Sequence, residues 1–169
     1  WRMTSVLKVT EIQDPTNSNS ALTINSTGNV LLPNRPSFMF TYSGANWTTN
    51  GGLTGSYSAT KVNEGSPAIT WTDGTGRLTV PLTGLYLITF GILVNPNGRL
   101  EGYLQHNDVS TGTATVIVNF NGTGSTYDGP TFTVVYPAEA NDYFMVHRSS
   151  VTAYADVHNN NYFGATFLG

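Results

Sequence analysis

Residues 82–94, Leu-Thr-Gly-Leu-Tyr-Leu-Ile-Thr-Phe-Gly-Ile-Leu-Val, constrain the fold more than any other stretch of this chain. They form the most apolar run in a polar, lightly charged sequence and are rich in strand formers: Tyr86, Ile88, Phe90, Ile92 and Val94. Both parities are apolar, with Tyr86, Ile88 and Phe90 on one face and Leu85, Leu87 and Leu93 mostly on the other. An antiparallel strand normally alternates, because one face meets the core and the other meets water. A strand that is apolar on both faces must be covered twice, by helices or by another chain.

No helical periodicity supplies such helices. Strand-like pieces recur at 37–42, 68–72, 77–80, 100–106, 113–120, 131–136, 143–148 and 162–168, and nearly all are separated by turns rich in Gly, Asn or Asp. Residues 43–66, rich in Gly, Ser, Asn and Thr, read as a long loop with short strand pieces. This pattern predicts an all-β antiparallel sandwich or barrel. The last piece, Tyr162-Phe163-Gly164-Ala165-Thr166-Phe167-Leu168, is also apolar on both faces. Two such strands side by side would leave an apolar patch outside the sandwich, which favours an oligomer. Tyr86 and Phe163 are the first candidates to carry it.

Residues 1–33 differ. Leu7-Lys8-Val9 and Leu22-Thr23-Ile24 are short alternating pieces, each followed by turn chemistry. Strands this short bury little alone, so the segment reads either as the end of an extended stalk wound from several chains or as a linker. Pro33 and Pro36 mark a boundary, and residues 34–169 form the head. The chain opens on Trp1, so it is expected to be the C-terminal part of something longer.

Several functions are disfavoured. Seven Lys and Arg against ten Asp and Glu leave no basic surplus for nucleic acid. No apolar run reaches the ~20 residues of a membrane span, so no membrane insertion is expected. There are no cysteines. No nucleophile elbow or phosphate cradle is present, and Glu64, Glu101 and Glu139 are isolated, so no catalytic residue, cofactor or enzymatic activity is expected. His106, His147 and His158 have no Cys or second His at ligand spacing and read as surface or loop histidines. Asp108, Asp128 and Asp156 are read as turn residues.

The segment Arg77-Leu-Thr-Val-Pro-Leu-Thr-Gly84-Leu-Tyr86-Leu-Ile88-Thr-Phe90 resembles the signature of the globular head of complement component one, subunit q. Gly84, Tyr86 and Phe90 match it, while Leu78 and Ile88 replace aromatic positions. Asn141-Asp142-Tyr143-Phe144-Met145-Val146 is similar to the family's Gly-Asp-x-Val strand, and Phe163-Gly164-Ala165-Thr166-Phe167-Leu168 to its closing strand. The resemblance spans roughly residues 36–169. It implies a ten-stranded jelly roll, shared with tumour necrosis factor and packed as a homotrimer about an aromatic axis. Tyr86, Ile88, Phe90, Phe163 and Phe38 are assigned to that interface, with Tyr86 toward the threefold axis and the Leu85 and Leu87 parity toward the core. Because members of the family sometimes bind calcium near the head's apex, a calcium site at Asp108, Asp128 and Asp156 is a subsidiary alternative to no metal.

The phrase from Ala21 to Phe38 resembles the junction at which the shaft of a bacteriophage tail fibre hands over to such a head. The resemblance implies a receptor-binding head on the virion, contacting a host polysaccharide or other glycan. The alternative is a structural trimerisation and folding clamp. If the head's entry and exit both lie at the stalk end, loops 95–99, 121–128 and 156–161 gather at the far tip. Asn97, Tyr127, His158, Asn159 and Asn160 are their candidate receptor contacts, since amides and aromatic rings suit sugars.

Overall fold

The computed structural model describes residues 11–13, 20–32, 34–42, 51–53, 57–92, 99–123, 129–149 and 161–169. In chain order the strands are β1 (Glu11–Gln13), β2 (Ser20–Ile24), β3 (Val30–Leu31), β4 (Ser37–Tyr42), β5 (Gly51–Gly52), β6 (Tyr57–Glu64), β7 (Thr70–Thr72), β8 (Arg77–Thr79), β9 (Gly84–Gly91), β10 (Arg99–Asp108), β11 (Thr113–Thr123), β12 (Thr131–Ala138), β13 (Tyr143–Arg148) and β14 (Asn161–Phe167). No helix occurs among the described residues. Two antiparallel sheets make the head. One has the order β12–β9–β14–β4–β6; the other runs β11–β10–β13–β8–β7, with β5 also paired to β13. Among the described residues the head has the expected ten strands, with the two-residue β5 as an eleventh.

The core lies between the sheets and consists of one parity of each strand. Phe163 meets three rings edge-on: Phe40 at 83°, Phe90 at 81° and Trp71 at 82°. Phe90 also packs on Phe120 and Phe132, and Tyr86 on Phe144 and Phe167. Such edge-to-face and tilted pairs are each worth about 0.5–1.5 kcal/mol beyond their burial. They explain why aromatics crowd these strands.

This packing corrects the assignment of the anchor strand. Tyr86, Ile88, Phe90, Phe163 and Phe38, expected at a subunit interface, are at most 5% exposed within a single chain. Their side chains fill the sandwich, and it is Leu85, Leu87 and Thr89 that point outward. The choice is decided by volume: the large rings fill the space between two sheets about 10 Å apart, and the opposite parity is left for the surface.

Two further findings concern residues 1–66. Residues 57–64, read as part of a loop, form β6, an eight-residue edge strand paired with β4. Its sequence, Tyr-Ser-Ala-Thr-Lys-Val-Asn-Glu, is polar because an edge strand is half solvated and avoids apolar exposure. The second short piece of the N-terminal segment forms β2, which pairs with β1 and β3 in a small antiparallel meander. The β2–β3 turn is held by the Asn25 side-chain carbonyl, which accepts from Thr27 N–H, Thr27 Oγ1–H and Asn29 N–H, with Gly28 at φ 85°. The piece at 7–9 lies outside the described residues.

Candidate functional site

The base of the head explains the Gly84-x-Tyr86 pattern. The Tyr86 hydroxyl donates to the Leu82 carbonyl at 2.7 Å and accepts the Leu82 N–H at 3.2 Å, which ties the incoming loop to the core. Burial pushes the phenol pKa up, partly offset by the bond to Leu82. A Cβ on Gly84 would lie 2.6 Å from the Phe167 ring and 2.7 Å from the Gly169 carbonyl, at φ 154°, so only glycine lets residues 167–169 pass. Those residues are fastened twice more. Leu85 N–H donates to Gly169 O and Leu168 N–H to Leu85 O, while Arg35 donates to the carbonyls of Phe167 and Leu168 at 2.5 and 2.6 Å. Entry to the head and exit from it therefore sit together.

On the same base a buried pair replaces the expected surface histidine. His106 is 8% exposed, with Nε2 2.8 Å from Asp142 Oδ2. Asp142, 1% exposed, also accepts N–H bonds from Val109 and Glu139. One carboxylate thus joins β10, the β10–β11 turn and the turn before β13. Asn141 precedes it at φ 77°, a conformation asparagine tolerates, which accounts for its standing where the resembling family has glycine. The sequence signal for His106 was its place in register with Leu104 on the inward parity of β10.

Asp108 also lies at the base. Hydrogen bonds from the Ser110 hydroxyl and then from Thr111 hold its carboxyl down at about 2. The strand ends that flank residues 124–128 and 150–160 are at the opposite end of β10, about 30 Å away for a ten-residue strand. Asp108 is therefore placed as a local turn carboxylate, which removes it from an apical calcium set. Asp128 and Asp156 lie outside the described residues. Among the described residues no three His, Cys, Asp or Glu side chains gather.

The outward face of the five-stranded sheet has a distinct character. Leu85 and Val135 are 46% and 49% exposed, and Pro137 stands opposite Leu85. Leu87, Thr166 and Ser37 follow in one cross-strand row; Thr89, Gly164 and Met39 in the next. No charged residue occurs on the outward parity of β12, β9, β14 or β4. The surface is also flat: Tyr162 lies across Gly91, where a Cβ would meet its ring at 2.6 Å, and a Cβ on Gly164 would strike the Phe38 carbonyl.

The outward face of the other sheet is aromatic and polar. Tyr103 and His147 stack at 5.0 Å with planes 10° apart, and the Arg77 guanidinium lies 4.3 Å from the Tyr143 ring centroid. Burial lowers the His147 pKa. At the end away from the base, β10, β11 and β13 finish beside one another, with Arg99 opposite Thr123 and Ser149 N–H bonded to Glu101 O. The candidate contacts Asn97, Tyr127, His158, Asn159 and Asn160 lie outside the described residues.

No protein-family model matches the chain, and no curated protein matches it in sequence. The fold does have a counterpart among solved structures. The globular domain of zebrafish complement 1qA protein superposes with a TM-score of 0.60 over 79% of this chain and 98% of that one, at 14% identity. The head is a complement-type jelly roll. In this jelly roll the signature residues Gly84, Tyr86 and Phe90 serve the base and the core, while the outward parities are left to determine what the head touches.

Proposed function

We propose that this chain is the homotrimeric, receptor-binding head of a phage tail fibre, which attaches the virion to the host cell surface. The observation that carries the reading is the flat, uncharged outward face of β12–β9–β14–β4, centred on Leu85, Leu87, Val135 and Tyr162. A continuous face of that kind is unusual on a monomer in water and suits burial against copies of itself. The complement-type fold supports a head domain, and the junction-like phrase between Ala21 and Phe38 supports a fibre. With entry and exit at one end, the opposite end is presented outward, and three copies of a weak site there would act with avidity.

Sedimentation of the purified chain at micromolar concentration tests the assembly. Three chains per particle are expected, and Leu85→Glu with Val135→Glu should yield folded monomers. A monomeric parent chain would overturn the trimer. Purified head should also block phage adsorption to host cells; a trimer that leaves adsorption unchanged would reduce the role to that of a folding clamp.

A further inference from the structure

We infer that the outward face of β10–β11 carries a binding subsite for one neutral pyranose ring, centred on Asn119 and Asn121, with Tyr103 in the adjoining row. A cleft of about 360 Å3 opens there, lined by Glu101, Gly102, Asn119, Phe120, Asn121 and Ser149. That volume lies within the ~300–1,000 Å3 usual for small-molecule sites. Cross-strand register builds the cleft. Tyr103 stands between His147 on β13 and Asn119 on β11; Glu101 stands between Ser149 and Asn121 in the adjoining row. Between these two rows the strands present backbone outward, because Gly102 and Phe120 have inward parity and the Phe120 ring packs against Phe90. A side chain at 102 is excluded, since its Cβ would collide with the His147 carbonyl.

The ligand class follows from the lining and from the aromatic row beside it. The Tyr103 and His147 planes are nearly parallel and 5.0 Å apart, which matches the ~4.8 Å spacing between neighbouring strands. His147 stacks on one face of the Tyr103 ring, and the register partner of Tyr103 on β11 is Asn119, a residue of the cleft lining. An aromatic face of this kind packs against the C–H side of a sugar ring. Two carboxamides and a hydroxyl in the lining, from Asn119, Asn121 and Ser149, can donate to and accept from the sugar's hydroxyls. Among the described lining residues the ionisable one is Glu101, an acid, so a neutral sugar is favoured over an anionic one. His147, its pKa lowered by burial, holds the Tyr103 ring in place without adding charge near neutral pH.

The cleft lies where β10, β11 and β13 end, far from the base, so the subsite sits on the outward-facing part of the head. This gives the attachment head its ligand and rests on that reading. The test is saturation-transfer NMR and calorimetry on the whole chain. The probes are the methyl glycosides of glucose, galactose, mannose and N-acetylglucosamine, with glucuronic acid as the anionic comparison. At least one neutral glycoside should bind, and Tyr103→Ala and the double variant Asn119→Ala/Asn121→Ala should each weaken it tenfold or more with circular dichroism unchanged. Should Tyr103→Ala lose structure, Asn119→Ala/Asn121→Ala and Ser149→Ala decide. Absence of binding by all four neutral glycosides, preference for glucuronic acid, or binding that survives both cleft variants would overturn the inference. Glycoside binding at the cleft without any effect of the head on phage adsorption would leave the subsite standing and refute attachment.

Discussion

Removing one oxygen from Tyr86 separates two roles that this strand could have played. Tyr86→Phe keeps the ring, which is fully buried against Phe144 and Phe167, and deletes both hydrogen bonds to Leu82. The ring packing is retained, so the cost comes from the Leu82 carbonyl and N–H, which lose a partner in a part-buried turn. The loss lies toward the lower end of the ~1–3 kcal/mol of a fully buried group left unsatisfied. The shorter bond, at 2.7 Å to the carbonyl, should account for most of it. The assay is urea unfolding followed by tryptophan fluorescence, with the variant carrying Leu85→Glu and Val135→Glu so that association does not enter. The midpoint should fall with the m-value unchanged, and Tm should drop by roughly 2–8 °C per kcal/mol. The phenol adds a pH test. Its pKa is raised on folding, so its contribution is complete below the unfolded value near 10 and is lost as pH rises through the folded value. Tyr86→Phe should remove that alkaline loss. A change under about 0.5 kcal/mol, or dissociation of trimers with no loss of single-chain stability, would refute the placement of Tyr86 in the core.

Other outcomes follow from the same structure. Gly84→Ala should cost more than about 2 kcal/mol, because its Cβ meets both the Phe167 ring and the Gly169 carbonyl; hydrogen exchange should rise at residues 167–169 before the rest of the head. Asp142→Ala leaves His106 and two backbone N–H groups unpaired and should destabilise by about 3–5 kcal/mol in the same urea assay. His147 has its pKa lowered on folding, so stability should be full above the unfolded histidine value near 6.5 and decline as pH falls through the folded value. Denaturant midpoints from pH 8 to 5 should show this decline, and His147→Gln should flatten it.

Most strands and their turns were legible because glycine, asparagine and aspartate punctuate strand-forming runs. Residues 143–148 were bounded as the structure has them, and 77–80 and 113–120 within a few residues. What periodicity could not decide was the direction in which the anchor strand faces. Tyr86, Ile88 and Phe90 compete with Leu85 and Leu87, and hydrophobicity alone ranks neither set. The distinguishing fact is local: a buried tyrosine hydroxyl needs a partner, and Leu82, four residues upstream, provides one. Strand β6 was missed because an edge strand lacks the alternation that marks a half-buried one. His106 was misplaced because its burial depends on Asp142, 36 residues away, and no spacing rule links them. The surface cleft at Glu101, Asn119, Asn121 and Ser149 arises from register across three strands, and so it cannot be found by scanning the chain for a motif.

The position of β14 bears on when this protein can fold. It is the last strand in sequence, yet it lies in the middle of its sheet, hydrogen-bonded to β9 on one side and β4 on the other. Until residue 167 has left the ribosome, β9 and β4 face an open gap, and Phe40, Phe90 and Trp71 lack the ring of Phe163 that packs among them. A chain cut short before β14 therefore leaves β9 and β4 as unjoined edges. Only chains synthesised through β14 can close the sandwich, and Arg35 then grips the carbonyls of Phe167 and Leu168.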